Sequence, residues 1–573
     1  MVQEKGAAWA AAYFFWHESC VGEQQLHLIE KRERFQVKTR KGWILLSVSL
    51  LVAAATLMGC TSNSSQAPKT SVEAPENAPQ KEAAEAKQSE DITVALEAEA
   101  TSLDPWNSTD SNTLHILSTM FEGLLTLDAD GEVIPILATD YKLSDDATSL
   151  TFHLRKDVRF HDGTPFDAQV VKNNLDYVRN KEHGMARASF FGFIKEIAVV
   201  DPYTVTVTAN EPDSAMVAYM AHPSASFKSQ KELQKKIDDP NYNLDRNPVG
   251  TGPYQFHEWK NGQYVKVTAF SDYWDKEKMA KLASIQFKPV TEASTRVNML
   301  KAGEVDIVTS LPTLDARNMG TDPSLDVYSG PSLNMLYVGM NTKLDKYKDK
   351  RVRQAMNYAM NKEQLISQVA DGFGTAADSP LSPLVKGYAK QQSYDYDVDK
   401  AKTLLKEAGY PNGFTATLWT RNSTEFVAIA ENIKIQLQNV GIKVEVQAYE
   451  SGTLFEKLDA GEGTDLYIGR WGTGTAEADW GLRPNFASDR VPPNYNNSGF
   501  YMNKQVDQLL NDALKAVDSQ KAQQKYDEAQ KVIMDEAPWI FLYVPDVVIA
   551  KQKSVSDVSV TLDTVRLNSA FKQ

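Results

Sequence analysis

The sequence contains only two cysteines, Cys20 and Cys60, among its 573 residues. The stretch from residue 61 to residue 573 therefore has no thiol, which excludes disulfide frameworks, thiolate metal sites and cysteine nucleophiles there. All eight histidines lie at or before His257, and their spacing gives no HExxH or other paired-ligand pattern. The sequence thus predicts no metal centre and no cofactor.

The sequence also lacks an excess of positive charge. Its 61 basic and 75 acidic side chains give a formal net charge of −14, so the electrostatic footprint of a nucleic-acid-binding protein is missing. It has no GxxxxGK[ST] phosphate loop and no GxSxG nucleophile elbow. These absences favour binding without chemistry. Paired carboxylates need no local motif, so an exported hydrolase using Glu477 and Asp479 stays open as an alternative.

A positively charged stretch and an apolar run stand near the start of the sequence. Residues 38–41 read Lys-Thr-Arg-Lys, and the apolar run extends over residues 43–58. This run is too short to span a bilayer comfortably and is typical of an export signal. We therefore predict a lipoprotein signal peptide over residues 37–59, with residues 1–36 as a doubtful N-terminal extension.

The apolar run ends in Leu57-Met58-Gly59-Cys60, which resembles the bacterial lipobox. The resemblance implies that Cys60 receives diacylglycerol and holds the protein on the outer face of the bacterial cell membrane. Residues 61–90 contain no aromatic residue and are rich in Ser, Pro, Gln, Glu and Ala. Such a composition cannot offset the entropy of ordering, so we predict a disordered tether over residues 60–90.

From residue 91 onward, strand patterns alternate with helix patterns, which predicts an α/β fold. Residues 414–419, 423–440 and 442–448 follow each other as strand, helix and strand. This order predicts a parallel βαβ unit, and ligands of such sheets bind outside the carboxyl ends of the strands. Residues just after Trp419 are therefore candidates for a binding site.

Four separated blocks carry a family resemblance. They are Phe160-His161-Asp162-Gly163-Thr164-Pro165-Phe166, Pro248-Val249-Gly250-Thr251-Gly252-Pro253-Tyr254, Asp272-Tyr273-Trp274 and Arg351-Val352-Arg353-Gln354-Ala355-Met356-Asn357-Tyr358-Ala359. Together they resemble the solute-binding proteins of dipeptide, oligopeptide and nickel ABC importers, over residues 91–573. The resemblance implies a binding protein and not an enzyme, monomeric, with the permease of an ABC importer as its partner.

The same resemblance implies a two-lobed, periplasmic-binding-protein-like fold of type II with a hinge between the lobes. Residues 91–333 are expected to form a large lobe one with an extra subdomain, residues 334–545 lobe two, and residues 546–573 a return to lobe one. The lobes of such proteins close around the ligand, and the closed form docks on the permease.

Two further strings narrow the expected ligand. The block at residues 474–486 and the string at residues 220–225 are similar to the glutathione-binding members of the family. Dipeptide-binding members hold the peptide ammonium with an Asp where this sequence has Gly474, which disfavours an α-dipeptide. Glutathione or a similar short peptide is the expected ligand, with dipeptides, oligopeptides, haem and nickel chelates as alternatives within the same fold.

The predicted ligand-binding residues fall into three groups. Arg421, placed just after the strand ending at Trp419, suits a carboxylate, and the family's carboxylate-binding Arg lies in this loop. Glu477 and Asp479, both expected in a loop, suit a ligand ammonium. The remaining candidates are hydroxyl donors and pocket walls: Thr473, Thr475, Trp419, Trp471, Trp480, and, in lobe one, Trp106 and Asn107.

Overall fold

The structure is a computed structural model that describes residues 91–128, 131–493 and 496–573. The expectations for residues 1–36, for the signal peptide and for the tether with Cys60 lie outside the described residues. Among the helices that are described, none combines the length and the apolar character needed to cross a membrane.

The strands, numbered in chain order, are β1 (Ile92–Leu96), β2 (Leu125–Leu127), β3 (Val133–Pro135), β4 (Ala138–Leu143), β5 (Ser149–Leu154), β6 (Ile194–Asp201), β7 (Thr204–Ala209), β8 (Tyr254–Lys260), β9 (Tyr264–Ala269), β10 (Ser284–Pro289), β11 (Ile307–Val308), β12 (Leu325–Pro331), β13 (Asn334–Met340), β14 (Gly374–Ala376), β15 (Thr415–Arg421), β16 (Lys443–Tyr449), β17 (Leu466–Gly472), β18 (Trp539–Gln552), β19 (Val555–Ser556), β20 (Ser559–Thr561), β21 (Thr564–Arg566) and β22 (Phe571–Lys572).

The α-helices are α1 (Ser111–Met120), α2 (Ala168–Arg179), α3 (Met216–Ala221), α4 (Gln230–Asp238), α5 (Ala293–Lys301), α6 (Thr313–Met319), α7 (Asp345–Lys348), α8 (Lys350–Tyr358), α9 (Lys362–Val369), α10 (Val398–Glu407), α11 (Thr424–Gln438), α12 (Ser451–Asp459), α13 (Ala478–Phe486), α14 (Lys504–Lys515) and α15 (Ser519–Glu536). Short 3₁₀ turns connect some of them, among them Ala188–Phe191 and Pro223–Ala225.

One large mixed sheet runs through the described chain, in the order β16-β15-β17-β13-β18-β11-β1-β10-β9-β8. The long strand β18 joins its two halves, because it pairs with β13 at one end and with β11 and β12 at the other. We call the part built on β1–β12 and on β19–β22 the first lobe, and the part built on β13–β17 the second lobe. The boundaries predicted at residues 333/334 and 545/546 stay predictions.

The first lobe carries a separate antiparallel sheet in the order β4-β5-β7-β6. Alternate residues of its central strands are buried, so that Leu150 lies opposite Val207 and Phe152 opposite Val205. This burial is the physical source of the period-two pattern in the sequence.

The second lobe contains the predicted βαβ unit. Strands β15 and β16 are parallel, and α11 connects them with Phe426 and Ile433 buried against the sheet. The strand continues two residues beyond the predicted end at Trp419, because its last residue, Arg421, still pairs in register with Tyr449 of β16. Arg421 is therefore the last residue of a strand and not part of a loop.

The two lobes contact each other across the cleft. The backbone amide of Ser214 in the first lobe donates to the carbonyl oxygen of Leu514 in the second lobe at 2.8 Å. Nearby, the rings of Phe190 and Trp480 meet edge to face, with 5.4 Å between their centroids. Trp480 also lines the cavity that is described next.

Candidate binding site between the lobes

The segment after β17 turns and then enters helix α13. The amide of Thr473 donates to the carbonyl of Leu333 at 3.1 Å, and the amide of Ala476 donates to the carbonyl of Thr473 at 2.8 Å. The Glu477 carboxylate then accepts the amide of Asp479 at 2.8 Å and caps the helix. The expectation of a loop was wrong at this point, because a carboxylate cap and an acidic first turn stabilise a helix start.

The Asp479 carboxylate is held by a cation of its own helix. Arg483 Nε lies 3.0 and 2.9 Å from the two carboxylate oxygens, and Asp479 is only 3% exposed. Asp213 of the first lobe stands near this pair, and burial together with the negative charge of Asp479 raises the pKa of Asp213 to about 7. Burial and the same negative charge raise the pKa of Glu477 as well. The acidic side chains thus meet at the boundary between the lobes.

Trp480 is the aromatic residue that bridges the lobes. Its ring stands edge to face against the first-lobe rings of Phe190, at 5.4 Å, and Tyr219, at 6.2 Å. Trp471 of β17 lies 6.3 Å from Trp480 on the second-lobe side. Of the four predicted tryptophans, Trp471 and Trp480 therefore stand beside the cleft, and Trp480 also lines the cavity inside it.

The two predicted threonines are buried under the turn. Thr473 is 2% and Thr475 1% exposed. The Thr475 hydroxyl has no hydrogen-bond partner within the described part of the chain. The Thr473 hydroxyl lies close to Gly481, where an added Cβ would stand 3.0 Å from it.

A cavity of about 330 Å³ lies between the lobes. Its size falls within the range of roughly 300–1,000 Å³ that is typical of small-molecule sites. A second cavity of about 360 Å³ extends into the first lobe and shares His222 and Arg566 with it. The charged and aromatic side chains among its lining residues are Arg187, His222, Asp563 and Arg566 from the first lobe, and Trp480 from the second.

Two guanidinium groups line the cavity between the lobes. Arg187 Nε donates to the carbonyl of Ser108 at 3.0 Å, and no other hydrogen bond joins its guanidinium to the part of the chain that the structure describes. Burial lowers the pKa of Arg566 to about 10, so this side chain still carries a positive charge at neutral pH. Two such cations predict a preference for anionic ligand groups.

His222 adds a neutral donor to the same wall. Its Nδ1 accepts the backbone amide of Ser224 at 3.0 Å, so the proton of the neutral ring stands on Nε2. Burial, with the nearby charge of Arg187, lowers the pKa of His222 to about 3 and keeps the ring neutral. Nε2 faces Gly474 of the second lobe, where an added Cβ would lie 3.3 Å away.

Asp563 supplies the opposite charge. Its carboxylate accepts the amide of Leu333 at 3.1 Å and the side-chain amide of Asn334 at 2.9 Å. Burial raises the pKa of Asp563 to about 6, which still leaves most of the population ionised at neutral pH. The cavity therefore presents both signs of charge to a ligand.

Arg421 lies at the end of β15, outside the set of residues that line this cavity. Its guanidinium carbon stands 4.3 Å from the ring centre of Phe426 and 5.1 Å from that of Phe455. Its Nε is buried and has no hydrogen-bond partner among the described residues. Burial and the charge of Arg470 lower the pKa of Arg421, whereas Glu425 raises it.

Three other predicted residues hydrogen-bond inside their own lobes. Trp419 and Trp106 are buried, and Asn107 is half-buried. Their partners are Gln447 Oε1 for Trp419 Nε1 at 3.1 Å, the Ser226 carbonyl for Trp106 Nε1 at 3.3 Å, and Asp245 Oδ1 for Asn107 Nδ2 at 3.0 Å. None of the three is among the residues that line the cavity between the lobes.

Sequence reasoning did not identify the charged residues of the cavity. Arg187, Asp563 and Arg566 come from segments that carry no motif, and only the string at residues 220–225 pointed to His222. The sequence offered one clue to Asp563 and Arg566: two opposite charges stand close together in the C-terminal segment that is predicted to return to the first lobe. Within the described ranges, no group of three or more His, Cys, Asp or Glu side chains is arranged to hold a metal ion.

The architecture and the cavity define a class of protein. A two-lobed α/β fold whose lobes share a long strand and enclose a cavity is that of the type II periplasmic solute-binding proteins. The predicted fold class is confirmed by solved structures: the chain matches the "ABC transporter-associated periplasmic binding protein DppA from Helicobacter pylori in complex with peptide STSA" with a TM-score of 0.73 and 27% identity, covering 84% of this chain and 98% of that one.

Comparison with protein families and curated relatives identifies the particular family. The profile of the bacterial extracellular solute-binding proteins, family 5 Middle, matches residues 132–492. The "Glutathione-binding protein GsiB" of Salmonella paratyphi A is 36% identical over 83% of this chain and 93% of its own length, and that of Pectobacterium atrosepticum is 37% identical over 83% and 92%.

This chain belongs to the family 5 bacterial extracellular solute-binding proteins, the substrate-binding components of ABC importers. The family resemblance expected from the sequence is therefore confirmed. So is the prediction of a binding protein and not an enzyme, because the matched relatives are substrate-binding proteins of transporters.

Proposed function

We propose that this protein captures glutathione or a similar short peptide between its lobes and delivers it to the permease of an ABC importer. The observation that carries the proposal is the cavity between the lobes, which presents Arg187 and Arg566 as cations and Asp563 as an anion. Glutathione has two carboxylates and one ammonium, so its charges complement these. The glutathione-binding names of the matched relatives support the same ligand.

Capture would follow from closure of the lobes. The second-lobe residues Gly474 and Trp480 and the first-lobe residues His222 and Arg187 line one cavity, so a ligand in it contacts both lobes. A ligand that contacts both lobes stabilises the arrangement in which they meet. The permease would then recognise that arrangement.

The predicted site residues take unequal parts in this proposal. Trp480 is assigned a direct contact, because it lines the cavity. Trp471, Thr473, Thr475 and Glu477 are assigned to the support of its helix and turn. Arg421 is proposed as a separate contact for a ligand carboxylate, because its buried Nε has no partner among the described residues.

The other predicted residues are assigned to the scaffold. The Asp479 carboxylate is occupied by Arg483, which leaves a ligand ammonium little to gain from it. Trp106, Asn107 and Trp419 hydrogen-bond within their own lobes.

A ligand panel tests the proposal. The purified protein is heated with reduced glutathione, oxidised glutathione, α-dipeptides, a tetrapeptide, haem and nickel-histidine. A ligand present at one hundred times its dissociation constant adds about 2.7 kcal/mol to the stability of the native state, which gives a measurable rise in Tm. We expect a rise with glutathione. A rise in Tm with dipeptides, oligopeptides, haem or the nickel chelate, and none with either form of glutathione, would contradict the proposed ligand. The proposed role in an ABC importer would stand.

We also propose that Cys60 carries the lipid anchor, on the basis of the lipobox-like string that ends there. Radiolabelled fatty acid fed to an expressing bacterium should label the protein, and Cys60→Ser should abolish both the label and membrane retention. Labelling that persists in the variant would contradict the anchor.

The hydrolase alternative is tested separately. Release of glutathione fragments in proportion to the concentration of the protein would favour it.

A further inference from the structure

A hairpin near the C-terminal end brings two opposite charges into the cavity between the lobes. Strands β20 and β21 pair through Thr561 and Thr564, and the turn between them holds Leu562 and Asp563 at positive φ of 50° and 67°. Both Asp563 of the turn and Arg566 at the end of β21 line the cavity. One short segment therefore supplies an anion and a cation to the same space.

These two charges are not satisfied by each other. No ion pair joins Asp563 to Arg566, and the hydrogen-bond partners of the Asp563 carboxylate are the neutral donors of Leu333 and Asn334. The Arg566 guanidinium has neither an ion pair nor a hydrogen bond to any residue in the described ranges. Leaving a half-buried charge without a counter-charge costs free energy, which a ligand of complementary charge recovers.

The chain geometry limits how far apart the two charges can be. Residues three positions apart are separated by at most about 11 Å between their Cα atoms, and by less where a turn intervenes. Because both side chains also line the same cavity, one end of a ligand that carries a carboxylate and an ammonium close together can meet both charges. The amino-acid end of a γ-glutamyl group has both on one carbon atom. In α-linked Glu-Cys-Gly the α-carboxyl is used in the peptide bond, and the side-chain carboxylate stands two methylene groups away from the carbon that carries the ammonium.

We propose that Arg566 and Asp563 recognise the free amino-acid end of a γ-glutamyl peptide, the α-carboxylate on Arg566 and the α-ammonium on Asp563. Arg187 and His222 line the same cavity, and the Arg187 guanidinium and the Nε2 proton of His222 add donors for the α-carboxylate of the ligand. The proposal rests on the function proposed above, since it assigns one end of that ligand.

The first experiment compares two isomers by calorimetry with the purified wild-type protein. The ligands are glutathione, in which glutamate is linked through its side chain, and Glu-Cys-Gly with an ordinary α-linkage. They have the same composition and net charge and differ only in which carboxyl group of glutamate forms the peptide bond, so only glutathione has a free amino-acid end. We expect glutathione to bind at least about tenfold more tightly, the loss typical of one charge-assisted contact.

The second experiment removes one charge from the ligand and its partner from the protein. Glutaryl-Cys-Gly keeps the carboxylate of the γ-glutamyl end but lacks its ammonium. In contrast, 4-aminobutanoyl-Cys-Gly keeps that ammonium but lacks that carboxylate. Asp563→Asn should weaken glutathione about tenfold and glutaryl-Cys-Gly hardly at all. Arg566→Gln should weaken glutathione similarly and 4-aminobutanoyl-Cys-Gly hardly at all.

Matched controls lie elsewhere in the first lobe. Asp557 also has a positive φ, 54°, and pairs with Lys281 at 2.9 Å away from the cavity. Arg246 is half-buried and stacks 3.2 Å over the ring of Trp259. Asp557→Asn and Arg246→Gln should leave both isomer affinities unchanged. Asn tolerates the left-handed conformation, so Asp563→Asn should keep the turn.

The outcomes separate this proposal from the function on which it rests. Equal binding of the two isomers overturns the recognition of the γ-glutamyl end but leaves peptide capture in place. This comparison uses only the wild-type protein. Binding of neither isomer overturns both. A tenfold loss of glutaryl-Cys-Gly in Asp563→Asn, equal to the loss of glutathione, shows that Asp563 does not contact the ammonium.

Discussion

The indole Nε1 of Trp471 donates to the carbonyl oxygen of Trp480 at 3.1 Å. In a regular helix this carbonyl would accept the amide of residue 484, but Pro484 has no amide proton. Trp471 supplies the missing donor from the neighbouring strand, so proline inside α13 leaves no unpaired carbonyl. The tryptophan that lines the cavity is thereby fastened to the sheet.

This relationship predicts the effect of a conservative substitution. Trp471→Phe keeps most of the ring but removes the donor, and should lower the free energy of unfolding by about 1 kcal/mol. In a Pro484→Ala background, the restored amide satisfies the carbonyl and the same substitution should cost less. Chemical denaturation of the four proteins measures the coupling. Equal costs in both backgrounds would show that the hydrogen bond does not matter.

Arg421 should contribute to ligand affinity and not to the empty fold. Arg421→Ala should weaken glutathione by roughly 1.5–3 kcal/mol, about ten- to a hundredfold, if its guanidinium holds a ligand carboxylate. Arg421→Lys should restore only part of the affinity, because an ammonium cannot make the two-pronged contact. The Tm without ligand should change little, since burial and the charge of Arg470 both lower the pKa of Arg421 and so disfavour its charged form in the empty fold.

The carboxylate that Arg421 contacts can be identified with an analogue whose glycine carboxylate is amidated. Calorimetry should show that Arg421→Ala weakens this analogue much less than it weakens glutathione. If both ligands lose the same affinity, Arg421 does not contact that carboxylate.

Gly474 should be needed for close approach of the lobes. An added Cβ at this position would lie 3.3 Å from His222 Nε2 of the first lobe, and the further methyl groups of valine need more room. Gly474→Val should therefore lower glutathione affinity at least about tenfold. Gly463→Val is the control, because its Cβ would meet only Asn341 at 3.8 Å.

Small-angle scattering distinguishes the reason for the loss. Glutathione should shrink the radius of gyration of the wild-type protein and of Gly463→Val, but not that of Gly474→Val. Normal compaction of Gly474→Val with glutathione would contradict the steric argument.

Asp213 should make stability depend on pH. Its pKa in the folded protein, about 7, is raised mainly by burial and further by Asp479, against the opposing charge of Arg483. The unfolded value is about 4, so the protonated form favours the folded state, and this contribution is lost as pH rises from about 4 to about 7. Asp213→Asn keeps the acceptor for the Ala215 amide, which donates to it at 3.0 Å.

The variant should therefore gain stability relative to wild type as pH rises. The difference in Tm between Asp213→Asn and wild type should be larger at pH 8 than at pH 5. Asp157 is exposed, and Asp157→Asn should give the same difference at both values. The same Tm difference at both pH values for Asp213→Asn would show that the pKa of the Asp213 carboxyl is not raised in the folded protein.

The sequence by itself determined the class of the fold and the local elements of the second lobe. Alternating and helical periodicities reflect which face of an element is buried, so β15, α11 and β16 could be predicted from residues that are close in the chain. The family blocks likewise identified a solute-binding protein. The end of β15 was missed by two residues, because pairing with β16 extends the strand to Arg421.

Only the tertiary structure decided which side chains meet in the cleft. The ligand contact of Asp479 stays a prediction, and the structure adds that the helix places Arg483 one turn away, where it pairs with the Asp479 carboxylate at 2.8 Å. Arg187 lies hundreds of residues before Asp563 and Arg566 in the chain. All three line one cavity because β18 carries the end of the chain back beside the first lobe. Charge pairing depends on distances across the packed lobes, which no periodicity along the chain encodes.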